Sequence, residues 1–144
     1  MRVSAKVDYA LRAMLELAAS EGLVKSERVA VAQGIPQKFL ENILLDLRHA
    51  ELVTSRRGVE GGYALARRAE EITLADVIRA VEGPIATVRG ARPEEVEYVG
   101  AAVGLQSLWL ELRSAMRGVL EETSLADVVA RSAASPRSMG PGAR

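Results

Sequence analysis

Gln37, Lys38, Glu41, Asn42 and Arg48 are spaced so that, on a helix, they share one side, opposite Leu40, Ile43, Leu44 and Leu47. Side chains of these types form the hydrogen bonds that read duplex DNA in its major groove. Gln37 or Asn42 can pair bidentately with adenine N6 and N7. Lys38 can donate to guanine O6 and N7 or to a phosphate, and Glu41 can accept from cytosine N4. Alone, the same pattern also describes an ordinary solvated helix face. The next stretch shifts that balance. Arg56 and Arg57 precede Gly58-Val59-Glu60-Gly61-Gly62 at what reads as a hairpin tip. An arginine there can enter the narrow minor groove, where the negative potential is strongest.

No other grouping competes with this one. His49 is the only histidine, and beside Arg48 and Glu51 it reads as a surface residue at a helix end, where it suits the negative end of the dipole. It has no neighbouring nucleophile in a fixed turn, and the Gly58–Gly62 stretch lacks the strand-to-helix setting of a phosphate-binding loop. No catalytic residues are assigned, and the expectation is a protein that is not an enzyme. The chain contains no cysteine, which excludes disulfides, thiolate metal sites and a cysteine-ligated iron–sulfur cluster. No cofactor and no metal ligands are expected.

These residues need elements to hold them. Val7, Leu11, Met14, Leu15 and Ala18 recur at helical spacing and predict a first helix ending near Gly22. Ser26 is expected to cap a short second helix that stops at Gly34, and Pro36 suits the first turn of a third. Residues 52–56 and 63–66 read as the two strands of the hairpin. Thr73 and Asp76 form a capping-box pattern for a fourth helix that ends at Gly83-Pro84. A loop over 85–93 leads to Glu94 and Glu95, which suit the start of a long helix reaching residue 122. Ser124 caps a last short helix. Residues 73–78 resemble 124–129, which reads as two similar helix starts rather than a repeat.

The predicted class is mainly α with a small β-hairpin wing: a winged helix-turn-helix plus a long dimerisation helix. Residues 1–84 form the DNA-binding part, 85–131 the loop, dimerisation helix and short last helix, and 132–144 a disordered tail rich in Ser, Pro, Gly and Ala.

Three ordered stretches resemble one known family. Residues 4–14 (SAKVDYALRAM), 35–41 (IPQKFLE) and 57–63 (RGVEGGY) look like the Rrf2 family of bacterial transcription regulators, and residues 72–78 and 82–84 also match its pattern. The resemblance covers about residues 1–130. It implies a homodimeric repressor that binds a palindromic operator. By position it places Lys38, Glu41 and Asn42 at the bases and Arg57 in the minor groove, with Gly58 beside it. Ser4, Lys6 and Tyr9 fall near phosphates. It makes Leu105, Leu108, Trp109, Leu112, Met116 and Val119 the dimerisation row. Many family members hold an iron–sulfur cluster on three cysteines before the dimerisation helix. Residues 84–105 have none here, so the chain resembles the cluster-free branch, with a small-molecule or protein effector. Tyr98, Gly100 and Gly104 are candidates to line an effector pocket by position, and Arg89 and Arg92 to meet an acidic effector.

Bulk composition is compatible with this but does not demand it. Apolar residues make up 49% of 144, yet there is one Trp, one Phe and three Tyr, so Leu, Ala and Val must fill a helical core. Formal net charge is zero. Residues 1–68 carry 11 Lys+Arg against 8 Asp+Glu, and the remainder reverses this excess of three. The neutrality and Glu41 leave open a second class, a winged-helix module for protein–protein assembly without DNA binding. The opening residues lack an apolar signal core and no apolar run approaches a membrane span, so a cytoplasmic protein with no membrane partner is expected.

Overall fold

The computed structural model describes residues 2–135. Among them are six α-helices and two strands: α1 Ala5–Ala18, α2 Ser26–Gln33, α3 Gln37–His49, β1 Val53–Arg56, β2 Gly62–Leu65, α4 Leu74–Glu82, α5 Leu105–Glu122 and α6 Leu125–Ala134. Helix α1 is the hub. Its buried face is Val7, Ala10, Ala13, Met14 and Leu17, while Leu11, Leu15 and Ala18 pack at the margin. Two alanines at the centre let backbones approach closely, and α1 touches α2, α3, α4, α6 and β2. Leu40, Ile43, Leu44 and Leu47 of α3 are buried against it, as their spacing predicts. Each such side chain stabilises the fold by about 1.5–3 kcal/mol.

Helix α3 ends in a Schellman motif. Leu52 N–H donates to Leu47 C=O and Glu51 N–H to Arg48 C=O, each at 2.9 Å. The residue at the left-handed position is Glu51, with φ 61°. A β-carbon is unfavourable there by about 1–2 kcal/mol, and glycine usually fills it.

The two similar helix starts are paired in space. Thr73 and Ser124 form an antiparallel bridge; Leu74 N–H donates to Thr123 C=O at 3.0 Å and Leu125 N–H to Ile72 C=O at 2.9 Å. Each start carries a full capping box, Thr73 with Asp76 and Ser124 with Asp127. Ile72 and Leu125 are both fully buried beneath this bridge. The pairing returns α6 to the hub, so Leu125 shares the core of α1 and α3.

Several expected boundaries move. Ser26 is the first residue of α2 and Lys25 precedes it as cap, without a side-chain hydrogen bond. Pro36 caps α3 rather than lying in its first turn, and α1 ends at Ala18. The long helix begins at Leu105, not at Glu94. Residues Pro93–Glu95 make one 3-10 turn, the chain is extended at Val96 and Val99, and it turns at Gly100 with φ 58°. The Gln106 amide takes up the carbonyls of Pro93, Glu94 and Val96 at 3.0–3.3 Å, so this backbone is satisfied without a helix. Residues 132–134, expected in the tail, continue α6; residues 136–144 lie outside the described residues.

Two outcomes are expected. Glu51→Gly raises stability by about 1 kcal/mol, read as a higher midpoint in urea or heat. The Ser124 backbone N–H and hydroxyl hold the Asp127 carboxyl below its ordinary value of 3.8. Its contribution is therefore complete above that value and fades as pH falls through the depressed one. The thermal-midpoint gap between parent and Asp127→Asn is open at neutral pH and closes in acid.

Candidate nucleic-acid interface

The tight turn after α2 places α3 on the surface with its apolar stripe inward. Arg12 of α1 donates to Gln33 C=O at 2.5 Å, and Gln33 donates to Glu16 at 2.5 Å, fixing the end of α2 to α1. The hairpin is antiparallel, with Val53 opposite Leu65, Ser55 opposite Tyr63 and Arg56 opposite Gly62. It is not a free flap. Val24 and Tyr63 exchange two backbone hydrogen bonds at 2.8 Å, which gives the wing a third, one-residue strand just before α2. Lys25 Nζ donates to the Gly58 carbonyl at 2.6 Å and holds the tip. Arg48 Nη1 donates to Ser55 Oγ at 3.0 Å and ties α3 to β1.

Two glycines are obligatory in this arrangement. A β-carbon on Gly61 would lie 2.0 Å from the Arg56 carbonyl oxygen, and one on Gly62 would lie 2.7 Å from that of Val24. Gly62 also has φ 149°, a region that other residues rarely occupy.

The residues singled out from the sequence fall into two groups. Lys38, Asn42, Arg56 and Arg57 are exposed and have no internal side-chain partner among the described residues. Glu41 and Asn42 line a shallow cleft with Arg48 and Tyr63, between α3 and the wing. Gly58 lies at the wing tip. The other group is partly engaged. Gln37 is half-buried and donates to Ser26 Oγ at 2.9 Å and to Glu41 at 3.3 Å. Lys6 pairs with Asp46 of α3 at 2.9 Å. Ser4 caps α1, accepting from Val7 N–H at 3.1 Å, which leaves its hydroxyl hydrogen to donate elsewhere. Tyr9 packs edge-on against Phe39, with the Arg12 guanidinium over its ring.

Sequence reading missed three participants. Lys25 holds the wing and Tyr63 lines the cleft, but neither stands out by spacing. Phe39 is 54% exposed on α3 beside the polar face, and its break from the apolar stripe was the available signal.

This arrangement is a helix-turn-helix with a wing clamped beside its third helix. The model of the Rrf2 family, described as an iron-dependent transcriptional regulator, matches residues 3–131. The chain belongs to the Rrf2 family.

Rv1287 of Mycobacterium tuberculosis, grouped with the HTH-type transcriptional regulators, is 52% identical over 130 residues, which cover 89% of this chain and 81% of that one. The HTH-type transcriptional regulator CymR of Bacillus subtilis is 36% identical over 130 residues, 89% of each chain. Among solved structures, CymR, the global cysteine regulator of B. subtilis, superimposes with a TM-score of 0.78 at 34% identity, over 91% of this chain and 98% of that one. IscR of T. potens gives 0.76 at 32%, over 99% and 94%. The chain is thus a winged-helix, DNA-binding transcription regulator of bacterial type.

Iron dependence in the family description prompts a test of fit. The residues do not suit a cysteine-ligated cluster. There is no cysteine, and two of the three carboxylates between α4 and α5 are engaged: Glu94 pairs with Arg113 at 2.6 Å and Glu95 accepts from Arg92 N–H at 3.1 Å. Among the described residues no group of three or more metal-ligating side chains assembles, and no helix is long and apolar enough to cross a membrane.

The wing geometry makes a direct prediction. Gly61→Ala costs about 1–3 kcal/mol, because backbone rather than a flexible side chain must move. Amide exchange in Val53–Leu65 speeds up, while that of α1 in the same variant stays slow.

Proposed function

We propose that this regulator is a homodimeric repressor that binds a palindromic operator through α3 in the major groove and the wing in the minor groove. The carrying observation is the set of unpartnered polar groups on one rigid unit: Lys38 and Asn42 on α3, Arg56 and Arg57 on a wing fastened to it at Val24, Lys25 and Arg48. In this reading Lys38, Glu41 and Asn42 face base edges, and Gln37 positions Glu41 through its amide. Arg57 enters the minor groove beside Gly58. Arg56, Arg48, Ser4, Lys6 and Tyr9 face the phosphates, with Lys6 contributing least because Asp46 already balances it.

The dimer rests on α5. No residue of α5 is buried within one chain, and Leu108, Leu112 and Val119 are 50%, 49% and 66% exposed. With Leu105 they form a row at coiled-coil spacing. Met116 borders it, half-buried. Trp109 lies on the side facing its own chain and donates to the Tyr98 hydroxyl at 2.9 Å. A row of this kind left in water is unfavourable, and a second copy covers it. The reading assigns no catalytic step and no resident cofactor, and it leaves the signal to a small-molecule or protein effector acting in the cytoplasm.

Arg57→Ala weakens operator binding about tenfold or more, by fluorescence anisotropy, with an unchanged thermal midpoint. Arg56→Gln lowers the slope of log affinity against log salt by about one, uniformly across sequences. An Arg57→Ala protein that bound like the parent would remove the wing from the interface. Leu108→Glu with Leu112→Glu gives a monomer in sedimentation velocity that loses operator affinity. A dimer retained in that variant would place the interface elsewhere.

A further inference from the structure

Four arginines from three separate stretches of the chain line one open cleft where α4, the following loop and α5 meet. They are Arg79 of α4, Arg92 of the loop, and Arg113 and Arg117 of α5. Glu94 also lines it, over a floor that includes half-buried Ile85. The cleft measures about 390 Å³, within the range of small-molecule sites and too small for a folded partner.

The charges do not cancel. Arg79 pairs with Glu121 of α5, and Arg113 pairs with Glu94 at 2.6 Å. Arg92 and Arg117 have no carboxylate partner among the described residues. Two cations are therefore left over beside two ion pairs. The Glu94 backbone N–H, then Arg113 and Arg92, hold the Glu94 carboxyl below the ordinary carboxylate range, so it is fully ionised at neutral pH and already counted in this balance. Placing like charges together is unfavourable. A tight turn immediately precedes Arg92. Val88 and Ala91 exchange hydrogen bonds at 2.8 and 3.0 Å around a two-residue turn in which Arg89 has φ 52° and Gly90 φ 79°. A non-glycine residue is strained in that position. The guanidinium fork matches carboxylate and phosphate oxygens bidentately.

We propose that this cleft binds a small multivalent anion carrying two or more carboxylate or phosphate groups, held by Arg92 and Arg117 with Arg79 and Arg113 beside them. Arg79 belongs to α4, which packs on α1 and α3, whereas Arg113 and Arg117 belong to α5. The anion thus bridges the hub to α5. Any effect on operator affinity rests on the function proposed above; binding itself does not.

The only tryptophan, Trp109, lies one turn before Arg113 on α5 and reports on the site. The test titrates the full chain, without DNA, with pyrophosphate and separately with citrate. Trp109 fluorescence and the thermal midpoint are followed, with sodium chloride at matched ionic strength as the control. The expected result is a saturable fluorescence change and a rise in midpoint that chloride does not reproduce. Arg92→Gln and Arg117→Gln each weaken it about tenfold or more, keep both ion pairs and leave the ligand-free midpoint unchanged. Arg28→Gln, at an exposed position of α2, binds like the parent. Saturation by citrate alone identifies a carboxylate ligand, and by pyrophosphate alone a ligand with two or more phosphate groups. No saturable response, a response unaltered by both variants, or binding of a glutamate-rich peptide where neither small anion binds overturns the proposal.

Discussion

Helix α1 buries two alanines at the centre of its inner face, flanked by Val7, Met14 and Leu17. Ala10 and Ala13 are wholly covered, and the helices around it come in close because those side chains end at a methyl group. The placement of α2, α3, α4, α6 and β2 follows from contact with this face. Helix α3 lays Leu40, Ile43, Leu44 and Leu47 against the hub, and the 3.6-residue period then turns Lys38, Glu41 and Asn42 to water. Helix α4 and helix α6 reach the hub together because their capped starts are hydrogen-bonded to each other. The magnitudes rank these effects. Four buried aliphatic side chains at about 1.5–3 kcal/mol each outweigh surface ion pairs such as Lys6–Asp46, worth about 0–1 kcal/mol each. The ion pairs adjust the surface; the core sets where the surface is.

A second constraint converts this core into a reading head. A hairpin alone is marginal in water. Here β2 borrows Val24 as a third partner, Lys25 closes the tip, and Gly61 and Gly62 permit the backbones to approach. Arg56 and Arg57 are therefore presented by a fixed support next to α3. In the function proposed above, fixing the backbone beneath them beforehand lowers the ordering cost on association.

Much of this was legible in the sequence because it rests on local rules. The α3 stripe, the capping box at Thr73 and Asp76, and the Gly-rich hairpin are each set by spacing of a few residues. The start of the long helix was not legible. Glu94 and Glu95 satisfy the dipole rule, but Val96, Val99 and Gly100 oppose helix, and the decisive partner is the Gln106 amide ten or more residues away. The Lys25–Gly58 tie spans 33 residues and the Arg79–Glu121 pair 42, and no pattern within one element reveals such contacts. The same limit hid the arginine cleft: of its four arginines only Arg92 stands out in its own segment, and only the packing of α4 against α5 brings Arg79, Arg113 and Arg117 to it. Helix α5 accordingly has two working sides, a row of leucines facing outward and arginines facing its own chain.

In the proposed function α3 and the wing act as one duplex-reading unit, used twice in a symmetric pair. A hydroxyl-radical footprint of the full-length protein, over the DNA upstream of its own coding region, tests this most directly. The account predicts two symmetric protected half-sites, centred about one helical turn or a small multiple of it apart. Each half-site should show protection of the sugar–phosphate backbone along its minor groove, and dimethyl sulfate protection of guanine N7 in the major groove should fall in the same half-sites. A footprint confined to one half-site, or no protection at low salt, would contradict it.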